Sequence, residues 1–142
     1  MAKDDGTKST RQNMMTRFTI INTNARSLCP KIESLADCME EMDVKIAIIT
    51  ETWLRDGDKT DELKERLKLG NGMDMFVRNR RAGQNGVAYG GVAVMAKDSF
   101  TNLKSIDTPN PDGFEVLACA GPLKGHSRKL VVLACLPAAE PG

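Results

Sequence analysis

The spacing of apolar residues in the first fifty positions is first typical of a strand, then of a helix, and then of a strand again. The segment RFTIINTN is rich in β-branched residues and predicts a strand from about Phe18 to Asn24. After Pro30, apolar side chains recur at spacings of three and four, which is typical of a helix face; they are Ile32, Leu35, Met39 and Met42. The apolar run from Val44 to Thr50 predicts a strand buried on both faces. Together these elements predict a βαβ unit.

The rest of the chain has a different pattern of apolar residues. After a loop with Gly57, the segment DELKERLKLGNG carries Leu63 and Leu67 and closes at Gly70, which predicts a short helix with a glycine stop. Short apolar runs separated by Gly, Asn, Pro and Asp then predict antiparallel hairpins; they are MDMFVRNR, YGGVAVMAK, FTNLKSID, GFEVLACAG and RKLVVLACLP. The whole pattern predicts an α/β (α+β) fold with a mixed sheet and flanking helices.

Length, composition and charge limit the class of protein. The 142 residues suit one domain, with a polar, disordered lead-in at 1–15 and a folded part at 16–142. Because 20 basic residues face 19 acidic ones, a nucleic-acid partner requires a local basic patch. The start is polar and acidic, and no run approaches about 20 apolar residues. We therefore expect a soluble intracellular protein, nuclear or cytoplasmic, that is not secreted.

Neither the cysteines nor the histidine predicts a metal site. The cysteines show no C-x-x-C spacing, so we expect reduced thiols rather than a zinc site or disulfides; they are Cys29, Cys38, Cys119 and Cys135. The only histidine, His126, lies in LKGHSRK between two strand-like runs. This position predicts a residue of a hairpin turn.

Polar side chains follow both strands of the predicted βαβ unit. Asn22 and Asn24 end the first strand, and Glu51 follows the second, where a buried charge costs free energy unless it has a partner. Because both strands end at the same edge of the sheet, we expect the three side chains to converge. One carboxylate with two carboxamides suits Mg²⁺, which takes its other ligands from water and phosphate. The alternative is that the asparagines cap the following turn and that Glu51 is solvated.

Three ordered motifs, NTNARSLCPKIESL, DVKIAIITETWLRDGD and YGGVAVM, resemble the N-terminal half of the endonuclease/exonuclease/phosphatase superfamily. The closest likeness is to the apurinic-type endonuclease domain of non-LTR retrotransposons, over about Phe18 to Pro137. The resemblance implies a Mg²⁺-dependent phosphodiesterase that nicks DNA, with the N-terminal half of a four-layer α/β sandwich of two mixed sheets. It also implies that Glu51 binds the metal, that Asn22 holds the hydrogen-bond network near the scissile phosphate, and that Asn24 takes the neighbouring position.

The sequence departs from the family's pattern in its later motifs. Two residues before Pro137, where relatives carry a catalytic Tyr, stands Cys135; either Cys replaces Tyr or one residue is deleted. A thiol does not supply the same directed hydrogen bond as a phenol. The family's Asp-x-Asn motif and Asp-His pair have no counterpart before Gly142, and His126 does not match the family's histidine. We therefore expect a fragment that does not cleave DNA measurably by itself.

For three further groups of residues the sequence indicates alternative roles. Arg78, Arg80 and Arg81 precede a Gly-Asn loop and either face a DNA backbone or form a solvated hairpin. Trp53 either packs beneath its loop or contacts a base. Because no helix follows them, Gly90 and Gly91 predict close backbone packing rather than a phosphate cradle.

Two further functions compete with a DNA endonuclease. One is a phosphatase or exonuclease of the same superfamily, acting on a phosphoinositide, sphingomyelin or an RNA tail. The other is a non-catalytic, degenerate α/β module. In either case the chain corresponds to only half of the α/β sandwich, so we expect the apolar face around Val131 and Leu133 to be exposed. Marginal stability and self-association should follow.

Overall fold

The strand, helix, strand pattern predicted for the N-terminal region is present. The computed structural model describes residues 17–80, 89–108 and 113–137, and the predicted lead-in at 1–15 lies outside them. Strand β1 (Thr19–Asn24) is followed by a 3₁₀ turn (Cys29–Lys31) and helix α1 (Ile32–Glu41). Strand β2 (Val44–Thr50) then pairs with β1 in parallel. The βαβ order of elements is therefore confirmed.

Helix α1 packs on the sheet through a face that the apolar spacing predicted in part. Ile32 and Met39 are fully buried, and Leu35 is partly buried against the same cluster. The prediction was wrong for Met42, which is 67% exposed because the helix ends one residue earlier and Met42 serves as its C-terminal cap. Ala36, which was not predicted on this face, is fully buried.

Helix α2 (Asp58–Asn71) begins earlier and ends later than predicted. Leu63 and Leu67 are buried. The glycine that ends the helix is Gly72 rather than Gly70, since Gly72 has a left-handed φ of 62° and its N–H bonds to carbonyl groups of the last turn. Gly70 stays helical because α2 packs on the following strand, which outweighs the small cost of a glycine in a helix. No helix within the described ranges is long and apolar enough to cross a membrane.

The apolar runs after α2 form strands in antiparallel pairs, as predicted. They are β3 (Met73–Arg78), β4 (Val92–Lys97), β5 (Lys104–Ile106), β6 (Phe114–Pro122) and β7 (Lys129–Pro137). The first sheet is mixed, with the order β1-β2-β4-β3, and the second is antiparallel, with the order β5-β6-β7. Strands β6 and β7 pack on the first sheet. The predicted α/β fold with facing sheets and flanking helices is confirmed.

Two apolar clusters hold these layers together. Ala47, Ile49 and Met95 are fully buried on the side of the first sheet that faces the helices. Their neighbours Ile46 and Val94 point the other way and pack against the second sheet. Because successive side chains of a strand alternate between faces, both faces of β2 and β4 are buried. The first sheet is therefore the middle layer.

The outer face of the second sheet is apolar and exposed. Strand register places four large apolar side chains there, Ile106, Phe114, Val131 and Leu133, which are 45%, 48%, 61% and 56% exposed. In the part of the chain that the structure describes, no helix covers this face. The described residues thus form three layers, and the predicted exposure of Val131 and Leu133 is confirmed.

The cysteines are free thiols in different environments. Cys29 and Cys135 are exposed, whereas Cys119 is fully buried between the sheets. Desolvation by burial raises the pKa of the Cys119 thiol to about 11. Cys119 therefore stays uncharged at neutral pH and packs as a small apolar side chain.

Candidate metal and phosphate site

The ends of β1 and β2 lie at the same edge of the first sheet. Asn22 pairs with Ile48 and Asn24 pairs with Thr50 in parallel register. The N–H of Ala25 continues the pairing by donating to the carbonyl oxygen of Thr50 at 2.8 Å. Both asparagines are exposed, so their carboxamides are accessible to a ligand at this edge.

A cleft of about 580 Å³ opens between this edge and strand β7. Asn22 and Asn24 line it from the first sheet, and Cys135, the position of the family's Tyr, lines it from the second. The other lining residues are Thr23, Ile48, Thr50, Leu133, Leu136 and Pro137. Tertiary packing therefore brings together three of the predicted site positions that are far apart in sequence.

Glu51 directly follows Thr50, which lines the cleft, and begins a strained backbone segment that we call the Glu51 segment (Glu51–Trp53). Glu51 and Trp53 have left-handed φ values of 56° and 54°, which non-glycine residues rarely adopt. Thr52 between them is fully buried. Such a conformation persists only where surrounding contacts determine it.

Backbone hydrogen bonds supply those contacts from two sides. On one side, the N–H groups of Ser27 and Leu28 donate to carbonyl groups of the Glu51 segment at 3.0 and 2.9 Å. On the other side, the carbonyl groups of Gly91 and Gly90 accept N–H groups of the segment at 3.3 and 2.9 Å. The segment is thus clamped between the exit of β1 and the approach to β4.

Trp53 orients the carboxylate of Glu51. Its indole N–H donates to Oε2 of Glu51 at 2.7 Å, and its ring packs edge-on against Tyr89, with 5.0 Å between ring centroids. Both Glu51 and Trp53 are partly buried. Packing in its loop was one of the two roles predicted for Trp53, but this hydrogen bond was not predicted. Because the bond engages Oε2, the other oxygen, Oε1, can accept a cation.

Gly90 and Gly91 lie just before β4 rather than within a strand, as was predicted, but they allow the predicted close backbone approach. Their φ values are 87° and 83°, in the left-handed region that glycine tolerates. A Cβ on Gly91 would lie 2.5 Å from Oγ1 of Thr52, and one on Gly90 would clash with the guanidinium of Arg80. Side chains at these positions would displace the contacts that hold the Glu51 segment.

The two described arginines of the predicted basic patch connect the sheets. Arg78 donates from Nη1 to the carbonyl oxygen of Val116 at 2.8 Å. Arg80 forms an ion pair with Glu115, donating from Nε to Oε1 at 2.8 Å. Arg81 lies outside the described residues. A DNA-facing role for the three arginines stays a prediction.

Few side chains at this edge are available to a metal ion. Among the described residues, no three His, Cys, Asp or Glu side chains form a cluster that could hold a metal. His126 lies in the turn between β6 and β7, with its N–H donating to the Leu123 carbonyl at 3.0 Å, as the hairpin prediction requires. A single carboxylate such as that of Glu51 suits Mg²⁺, which keeps several waters and uses one or two protein carboxylates. It does not fit structural zinc, which takes four protein ligands.

Solved structures share this fold. The sequence matches no protein-family model and no curated protein. The chain is similar to a Neisseria structure described as the 3′ phosphatase NExo bound to product DNA hairpin, with a TM-score of 0.52 and 16% identity, over 82% of this chain and 40% of that one. It is similar to the endonuclease domain of TRAS1, a telomere-specific non-LTR retrotransposon, with a TM-score of 0.52 and 13% identity, over 87% of this chain and 46% of that one. These likenesses show a shared fold over more than four fifths of this chain.

The chain spans less than half the length of these two solved structures. The resemblance drawn from the three sequence motifs is confirmed for the fold. The roles of Asn22, Asn24 and Glu51 stay predictions, although the structure places all three where the strands β1 and β2 end.

Two residues around the site were not singled out from the sequence. Glu115 carried a signal of the same kind as Glu51, since it is an acid in an otherwise apolar strand, GFEVLACAG. Tyr89 carried none, because its contact with Trp53 depends on how two loops meet.

We expect Gly91→Ala to destabilise the protein more than Gly113→Ala. Both glycines have left-handed φ values, 83° and 86°, so each alanine substitution carries a similar backbone strain of about 1–2 kcal/mol. At Gly91 the new Cβ also meets Thr52 at 2.5 Å, whereas at Gly113 nothing lies within 4 Å. The clash should add about 1–3 kcal/mol to the loss of unfolding free energy, measured by urea denaturation. Equal losses would contradict the tight approach of Gly91 to the Glu51 segment.

Proposed function

We propose that this chain is part of a Mg²⁺-dependent DNA endonuclease domain of the non-LTR retrotransposon type. The observation that supports it is Glu51, whose backbone is clamped after β2 and whose carboxylate is oriented by Trp53. Glu51 directly follows Thr50, which lines the same cleft as Asn22 and Asn24. The structural similarity to the TRAS1 endonuclease domain agrees with this proposal. A DNA substrate also fits the expected nuclear or cytoplasmic location.

The proposed roles follow from the chemistry of each side chain. Mg²⁺ bound here would polarise a phosphoryl oxygen and stabilise the leaving oxyanion. Glu51 would hold the ion through Oε1, because Trp53 already occupies Oε2. The carboxamide N–H groups of Asn22 and Asn24 would donate to phosphate oxygens in the cleft and so orient the phosphodiester.

These residues bind and orient, but none of them is a general base. A general base typically contributes about 10²–10⁴-fold to the rate. We propose that the groups that activate water belong to sequence outside these 142 residues, which cover 40% and 46% of the two solved structures. The 142 residues by themselves would then bind Mg²⁺ without cleaving DNA.

A Mg²⁺ titration followed by tryptophan fluorescence tests the metal site. Trp53 is the only tryptophan and is hydrogen bonded to Glu51, so its emission should change saturably as Mg²⁺ binds. Glu51→Gln keeps the size of the side chain and an acceptor for Trp53 but removes the charge, and should weaken Mg²⁺ binding at least about tenfold.

The matched control for this titration is Glu33→Gln, which removes an exposed carboxylate of α1 that pairs with Arg66. It should leave the Mg²⁺ response unchanged. A wild-type protein without any saturable response would favour the non-catalytic, degenerate module. An equal response in wild type and Glu51→Gln would assign the binding to another site.

A plasmid-nicking assay with Mg²⁺ tests the proposed lack of activity. We expect the 142-residue chain to produce no nicks above the rate without protein, because the described residues that line the cleft include no histidine and no carboxylate to activate water. Nicking that disappears in Glu51→Ala would refute the proposed inactivity and support the Mg²⁺ site. Release of phosphate from a 3′-phosphorylated DNA hairpin would instead favour a phosphatase, the description given for the NExo structure.

We also propose that the chain self-associates through the exposed outer face of the second sheet. Val131 and Leu133 contribute large apolar surfaces there, at 61% and 56% exposure, beside Ile106 and Phe114. The double substitution Val131→Lys/Leu133→Lys should reduce association, measured by sedimentation velocity over a range of concentrations. Leu69→Lys is the matched control, since Leu69 is 80% exposed on α2. A wild-type chain that stays monomeric at every concentration would contradict this proposal.

A further inference from the structure

We infer that Glu115 of β6 is a positioning residue for Glu51, a role that rests on the proposed Mg²⁺ site. Glu115 belongs to the second sheet, yet both of its partners belong to segments flanking the first. It accepts from Nε of Arg80 at 2.8 Å and from the N–H of Gly91 at 3.3 Å. Its side chain is 12% exposed, and that of Arg80 is 24% exposed.

A short chain of contacts leads from Glu115 to the Glu51 carboxylate. The carbonyl of Gly91 accepts the N–H of Thr52 at 3.3 Å, and the carbonyl of Gly90 accepts the N–H of Trp53 at 2.9 Å. The indole of Trp53 then donates to Glu51 at 2.7 Å. Glu115 therefore fixes Gly90 and Gly91, and these two glycines fix Trp53, which orients Glu51.

The glycine pair needs such an anchor. Glycine adopts many backbone conformations at similar free energy, so Gly90 and Gly91 are not kept at their left-handed φ values by their own sterics. The carboxylate of Glu115 binds the Gly91 N–H directly and holds the Arg80 guanidinium beside Gly90. Charge-assisted hydrogen bonds of this kind are stronger than neutral ones. A partly buried ion pair thus determines the glycine conformation, and through it the Glu51 segment.

Glu115→Gln tests this role with two readouts on Trp53. The substitution keeps an acceptor oxygen but removes the charge that binds Arg80. Without Mg²⁺, it should shift Trp53 emission to longer wavelength and increase quenching by acrylamide, because the Glu51 segment loosens. With Mg²⁺, it should weaken binding roughly tenfold, as removal of a residue that supports a metal ligand does.

Asp74→Asn is the matched control for a merely structural ion pair. Asp74 lies on β3, its side chain is 24% exposed, and it pairs with Lys68 at 2.9 Å, away from the glycine pair. This variant should leave Trp53 emission, quenching and Mg²⁺ affinity at wild-type values. If Glu115→Gln also leaves them at those values, or if both variants change them equally, the positioning role is overturned.

The design separates this inference from the proposed function. A wild-type protein that does not respond to Mg²⁺ would contradict the metal site, while the metal-free Trp53 signals would still decide whether Glu115 positions the segment. If Glu115→Gln does not fold, the double variant Arg80→Met/Glu115→Leu replaces the ion pair by apolar side chains, a change that folded proteins often tolerate. It should expose Trp53 in the same way, and unchanged quenching in this variant would overturn the inference.

Discussion

The geometry of the candidate site depends on backbone hydrogen bonds that clamp the Glu51 segment from two sides. Left-handed φ values at Glu51 and Trp53 cost free energy, and the cost is offset by four backbone hydrogen bonds and by complete burial of Thr52. Parallel pairing of β1 with β2 delivers one side of the clamp. The close approach of Gly90 and Gly91 to the Glu51 segment forms the second side of the clamp. The carboxylate is thus held by the fold rather than by its own rotamer preferences.

The packing of the two sheets and the geometry of the site are coupled. The apolar layer between the sheets sets their distance, and at one end of it Arg80 and Glu115 form an ion pair across the sandwich. The same pair contacts both glycines that support the Glu51 segment. Loss of the second sheet would therefore remove Cys135 from the cleft and also release the support of Glu51.

Much of the fold was predictable because strand and helix periods are local properties of the chain. The burial pattern of β2 and the antiparallel strands after α2 followed from apolar runs alone. The errors concern helix ends. Met42 was predicted inside the first helix and Gly70 at the end of the second. The periodicity of apolar residues does not determine the last residue of a helix, which is why both predictions were wrong.

The amino-acid sequence by itself determined the order of elements and the placement of Asn22, Asn24 and Glu51 at strand ends, and its motifs indicated a resemblance that the solved structures support for the fold. Only the tertiary structure decided that Gly90 and Gly91 clamp the Glu51 segment and that Arg80 pairs with Glu115. The physical reason is the separation along the chain between the residues that interact. Periodicity and turn chemistry act between residues a few positions apart, whereas the contact of Arg80 with Glu115 exists only once two sheets have packed face to face.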